Sequence, residues 1–244
     1  MRTKTGFALA AALLFSAGFF RTAAAAPDFT GVWQAFASES AGPRGGPEYT
    51  TEGKTKMADF NAKYPNMVEP GAYCVPPGMP FTMTAIVSYP IDITQTDKRI
   101  TMITEFDDQF RRIFLDGRKF PDDYPDTRMG YSIGHWEGNT LVVETRLLSD
   151  ALYGRLPRTE NTTVVERISK IKRSAVKQSN SPVATHKAVD DDVLAMEITT
   201  TDPTLYAKPI KTTIYYQHLE DNAMLEYVCI SDIWEQALDA ANKK

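Results

Sequence analysis

The chain has 244 residues, with 27 Lys and Arg against 31 Asp and Glu and a formal charge of −4. A mildly acidic chain without a Lys/Arg run argues against nucleic acid or anionic lipid as a partner. Its length suits one sizeable hydrophobic core.

The first segment reads as an export signal. Arg2 and Lys4 are followed by an apolar run from Gly6 to Phe20, and then by Arg21-Thr22 and four alanines. That run of about 15 residues falls short of the roughly 20 that a membrane span needs. Residues 1–25 are therefore expected to be a signal peptide, cut after Ala25 so that proline does not follow the scissile bond directly. Residues 26–244 are then expected to form a single domain, periplasmic or secreted, with no membrane span after cleavage. Loss of Arg2, Lys4 and Arg21 takes the charge to −7.

The elements follow in order. Phe29 to Phe36 is a strand, Ser38 to Gly46 a loop, and Thr51 to Tyr64 a short helix. Pro65 to Pro80 is rich in proline and glycine. From Ile91 the period changes to two. Ile91–Thr96 and Arg99–Glu105 flank a tight turn at Asp97-Lys98, and Phe110–Leu115 follows a second turn at Asp107-Asp108. Tyr131–Trp136 and Thr140–Arg146 form a hairpin. Thr162–Lys172, Val193–Thr201, Lys211–His218 and Leu225–Ile230 complete about ten strands, enriched in β-branched and aromatic residues. Residues 173–192 are polar and read as a long loop, and Asp232–Asn242 as a final helix capped by Ser231. Strands in hairpin order with no helical crossover point to an all-β antiparallel barrel of about 8–10 strands with short flanking helices. A barrel of that size holds side chains or one small ligand.

Two-residue turns set the register. Ile93 faces Met102, Met102 faces Ile113 and Ile100 faces Leu115, so these share one apolar, inward face with Arg111 and Thr104 at its end. Arg112 lies on the opposite face with Ile103, Phe110 and Phe114. An arginine at the mouth of an apolar cavity is a natural ligand anchor. Arginines on a barrel rim, paired with carboxylates such as Glu105, fit the same pattern.

The stretch YSIGHWEGNTLVVE, Tyr131 to Glu144, carries one of the 3 histidines. Gly138-Asn139 is a two-residue hairpin turn signal. It pairs His135 with Val142 and Ile133 with Glu144. Trp136, Leu141 and Val143 then share one face, and His135, Glu137 and Glu144 the other. His135 and Glu144 become diagonal neighbours, which suits a carboxylate-supported general base. A polar pair on the outer face of the barrel fits the same register.

Cys74 and Cys229 are the 2 cysteines. In an exported chain they are expected to form one disulfide, closing a loop of about 155 residues worth roughly 4–5 kcal/mol in the chain-entropy model. The histidines lack metal-binding spacing, so no metal and no cofactor is expected.

Several motifs in order resemble an uncharacterised family of exported bacterial β-rich proteins. They are Phe29–Trp33, Tyr73–Pro80 (YCVPPGMP), Arg111–Arg118 (RRIFLDGR), Gly130–Thr145, Val164–Arg167, Asp202–Pro209 and Leu225–Cys229. The resemblance implies common ancestry and an exported β-rich domain, and brings no activity with it. Arg128, Phe120 and Leu147–Asp150 depart from the family's pattern, which implies an altered pocket if the family shares a ligand. Gly31 and Trp33 also resemble the lipocalin or calycin signature. The family motifs make Glu166 and Glu226 candidates for lining a cavity, and Tyr206 a candidate for lying over a barrel end.

Three functions are compatible with these observations. The leading one is a lipocalin-like periplasmic barrel that binds a small apolar or aromatic molecule through Arg111, Arg112, Glu166, Tyr206 and Glu226. The alternative is a cofactor-independent lyase, isomerase or hydratase using His135 and Glu144 as an acid/base pair, with Arg111 or Arg112 holding an anionic or carbonyl oxygen. The third is an envelope structural protein with a filled barrel.

Overall fold

Among the described residues, nine strands close into one barrel in chain order. The structure is a computed structural model that describes residues 26–40, 46–63, 74–84, 89–152, 156–176 and 184–229, together with Gln236 and Asp239. The strands are β1 (Gly31–Ser40), β2 (Pro90–Thr96), β3 (Arg99–Thr104), β4 (Gln109–Phe114), β5 (Tyr131–Glu137), β6 (Thr140–Arg146), β7 (Thr163–Lys172), β8 (Asp192–Thr201) and β9 (Ile210–Leu219). β9 returns to pair with β1, so the sheet has no open edge. Helix α1 (Thr51–Lys63) and the single turn α2 (Phe81–Thr84) flank the barrel. Thr50 caps α1 by accepting the Gly53 N–H at 2.8 Å.

The alternation read from the sequence sets the inner face. Ile93, Ile100, Met102, Ile113, Leu141, Val143, Ile168 and Met196 are all wholly buried. Gln95 pairs with Ile100 and Ile93 with Met102, as the Asp97-Lys98 turn requires. The hairpin β5–β6 has the expected register throughout, from Tyr131 opposite Arg146 to Glu137 opposite Thr140.

Three expectations need correction. First, β4 is shifted by two residues against β3: Met102 faces Arg111 and Ile100 faces Ile113. Asp107 and Asp108 both take left-handed φ, 57° and 47°, and the connection widens into a 3-10 turn over Phe106–Asp108. An even shift keeps every side chain on its expected face. Second, one pairing is parallel. β5 joins β4 through only Ile113–Ser132 and Phe114–Ile133, because the irregular connection from Leu115 to Gly130 carries the chain back along the barrel before β5 starts. Third, Leu225–Cys229 forms no strand. With β9 already bonded to both β8 and β1, no edge is left to receive it. The segment instead crosses the β3–β4 turn, where Leu225 N–H donates to Glu105 Oε2 at 2.7 Å. Tyr227 packs its ring edge against Tyr89 and Phe106.

The Cys74–Cys229 disulfide forms as expected, with a Cα separation of 5.6 Å. Beyond Cys74 the chain turns into one end of the barrel as a plug. Met79 and Met83 are wholly buried there, and the Tyr216 hydroxyl donates to the Met83 carbonyl from inside the barrel at 2.9 Å. Gly78 has φ 72°, and a Cβ on it would lie 2.2 Å from the Arg128 carbonyl oxygen, so only glycine fits that approach. The expected signal peptide lies outside the described residues. So does most of the expected final helix, of which Gln236 and Asp239 are described and helical. No described helix is long and apolar enough to cross a membrane.

Candidate functional site

The interior of the barrel is occupied by its own side chains. Trp33, Met79, Met83, Met102 and Met196 are all wholly buried. Close packing of this kind leaves side chains, rather than a ligand, in contact across the lumen.

The wall of the barrel opens where its pairing is weakest. Below the two-pair seam, β4 and the residues leading into β5 diverge, and the plug holds them apart. Gly78 N–H donates to Gln109 Oε1 on β4 at 3.1 Å. On the other side, Met79 N–H donates to the Arg128 carbonyl at 2.9 Å. Between them lies a cleft of about 500 Å³ whose walls are mostly apolar, including Phe110, Phe114, Tyr124, Met129 and Tyr131. Phe110 is 59% exposed and Tyr124 40%, which is unusual for rings of that size on a closed barrel. Phe114 and Tyr131 stack at 5.1 Å, and Tyr124 meets Tyr131 edge-on at 5.0 Å.

The floor of the cleft is polar and hydrogen-bonded. Arg111 projects inward, as its face predicts. It donates through Nε to Ser132 Oγ at 3.1 Å, through Nη2 to Thr145 Oγ1 at 2.8 Å, and through Nη1 to Glu166 Oε1 at 2.9 Å. A second prong joins Nη2 to Glu166 Oε2. This is a buried bidentate ion pair with every nitrogen bonded. Arg112 takes the opposite face and opens into the cleft, its guanidinium 5.3 Å from the centre of the Phe110 ring. Asp107 also lines the cleft, with Oδ2 buried and without a hydrogen-bond partner. Its carboxyl is pushed above the ordinary value by desolvation, and further by the charge of Asp108.

The remaining expected site residues are elsewhere. His135 and Glu144 share a shallow outer groove of about 340 Å³ with Arg118, Phe120 and Arg146, but do not bond to each other. His135 Nε2 faces Glu137 Oε1 at 3.3 Å, and the side chain is 66% exposed. Glu144 accepts from Arg146 Nε at 2.6 Å. Glu137 is held below the ordinary carboxylate range, first by Arg167 and then by His135. The register is as expected, but side-chain competition is not visible in a register: the closer arginine takes Glu144. Tyr206 is buried among the loops at the barrel end. Its hydroxyl donates to the Pro157 carbonyl, and its ring lies 5.5 Å from that of Tyr49. Asp202 before it anchors the same loops, accepting from the Thr159, Thr204 and Leu205 N–H groups and from two threonine hydroxyls. Glu226 is exposed on the segment crossing the β3–β4 turn. Arg111 and Glu166 are thus brought together under the cleft, with Arg112 lining it from the opposite face of β4, and Tyr206, Glu226, His135 and Glu144 lie elsewhere.

Phe110, Tyr124, Tyr131 and Ser132 were not read as site residues from the sequence. Part of the signal was present: Ile103, Phe110 and Phe114 put an apolar stripe on a face expected to be outer. Likewise, an inward Arg111 requires polar partners, and Ser132 shares the inner face of β5. Among the described residues, no three His, Cys, Asp or Glu side chains gather as a metal site requires.

Together the fold and the cleft define a plugged nine-stranded barrel with a ligand-sized opening in its wall. The chain matches no protein-family model and no curated protein sequence.

Proposed function

We propose that this is an exported binding protein that takes a small aromatic molecule into the wall cleft between β4 and β5, rather than into the lumen. The observation that carries this reading is the juxtaposition of a filled barrel with a mostly apolar cleft of about 500 Å³, walled by Phe110, Phe114, Tyr124 and Tyr131. That volume lies in the range that accommodates small organic ligands. Offset or edge-on stacking against two or three rings favours a flat aromatic ligand over an aliphatic one. The N-terminal signal pattern and the disulfide support an exported, periplasmic location.

Calorimetric titration with small phenols tests the reading. Phe110→Ala is expected to weaken binding about tenfold, since an aromatic contact adds about 0.5–1.5 kcal/mol beyond area burial. Binding that survives both Phe110→Ala and Tyr124→Ala unchanged would place the ligand elsewhere.

A further inference from the structure

We propose that the cleft selects aromatic molecules bearing an anionic group, a carboxylate in the first instance, and that Arg112 is the residue that holds it. This rests on the cleft being the binding site.

The charges along the cleft support a cationic subsite. Arg111 is neutralised by Glu166. Arg118 nearby is neutralised by Asp116, and Arg128 reaches the Pro76 carbonyl at 3.0 Å. Arg112 faces Thr101 on β3, and Thr101 faces Thr94 on β2, so the positions directly across from it are neutral. Among the described residues no carboxylate forms an ion pair with it. Among the described residues, Asp107 and Asp108 are the acidic ones that line the cleft. Asp108 belongs to the 3-10 turn before β4, and Arg112 to the strand itself. A planar guanidinium beside an apolar wall is suited to gripping a carboxylate with two hydrogen bonds while the ligand ring stacks alongside.

A cationic ligand is disfavoured at the same place. Aromatic faces attract cations, but two faces here already meet arginines: Arg112 over Phe110 at 5.3 Å and Arg118 over Phe114 at 3.8 Å. An ammonium entering the cleft would meet those guanidinium groups, whereas an anion is attracted to Arg112.

The test compares 4-hydroxybenzoate with 4-hydroxybenzyl alcohol, close in size and opposite in the property at issue. Both are titrated calorimetrically into the full exported chain, into Arg112→Gln and into Phe110→Ala. The acid is expected to bind the wild type about 10- to 100-fold more tightly than the alcohol, as a charge-assisted hydrogen bond implies. Arg112→Gln should bring the acid to the level of the alcohol and leave the alcohol unchanged, with Arg112→Lys in between. Raising the salt should weaken the acid alone, a readout that needs no variant to fold. Equal affinities for acid and alcohol in the wild type, with both lost in Phe110→Ala, overturn the anionic preference and leave the aromatic cleft standing. No binding of either probe, or binding indifferent to Phe110→Ala, overturns the cleft and this inference with it.

Discussion

Arg111 on β4 and Glu166 on β7 meet across the inside of the barrel as a two-pronged ion pair, with side chains 2% and 0% exposed. Ser132 and Thr145 take two further donor positions on the guanidinium. The pair ties the strand at the open seam to the opposite wall and sets the floor of the cleft. Removing one partner leaves an uncompensated buried charge, which costs about 3–5 kcal/mol. Glu166→Leu is therefore expected to lower the unfolding free energy in urea by that amount. Arg111→Met combined with Glu166→Leu should recover most of the loss. Strictly additive effects would show that the pair is not coupled.

The disulfide acts on the site as well as on stability. Cys74 to Cys229 spans 155 residues, and Pro76, two residues beyond Cys74, lines the cleft. Cys74→Ser with Cys229→Ser is expected to cost about 2–5 kcal/mol and to weaken binding of a phenol, because the plug that props the seam loses its anchor. Urea unfolding and titration of the same variant check both halves. A variant that is less stable yet binds as before would separate the plug from the cleft.

His135 and Glu144 are expected to be dispensable for binding. His135→Ala removes an exposed side chain whose contact is Glu137. Surface changes of this kind stay within about 0.5 kcal/mol of wild type, so both the urea midpoint and the phenol affinity should be unchanged. A tenfold loss of affinity would move the site to the outer groove.

Asp107 gives the pH dependence. Desolvation, followed by the charge of Asp108, raises its carboxyl above the ordinary value of 3.8. A raised carboxyl means that the folded state holds the proton more tightly than the unfolded state. Its contribution to stability is therefore fully present below pH 3.8 and lost as the pH rises through the folded-state value. Asp107→Asn removes the buried charge and keeps a residue that tolerates left-handed φ. It is expected to raise Tm at about pH 7, with the gain shrinking below about pH 4. A gain of equal size across that range would locate the effect in backbone strain rather than in charge.

Local rules carried the sequence reading, and long-range ones limited it. The β5–β6 hairpin was legible because Gly138-Asn139 specifies its turn, and Gly138 does take φ 60°. The inner face of β2 to β4 was legible because a two-residue slip preserves alternation. The depth of Arg111 was not, because that slip depends on two aspartates adopting left-handed backbone. The parallel seam was not legible either. It pairs β4 with β5 across an irregular connection, and nothing in a period-two pattern separates a closing strand from a diverging one. Leu225–Cys229 has the composition of a strand, but a closed barrel offers it no partner. The cleft exists because of the seam, so its position was hidden by the same gap.

The most direct test of a wall site is a crystal structure of the protein soaked with 4-hydroxybenzoate. The ring is expected between Phe110 and Tyr131 with the plug in place and the lumen still filled by Met79 and Met83. Ligand found inside the barrel with those methionines displaced, and the cleft empty, would contradict it.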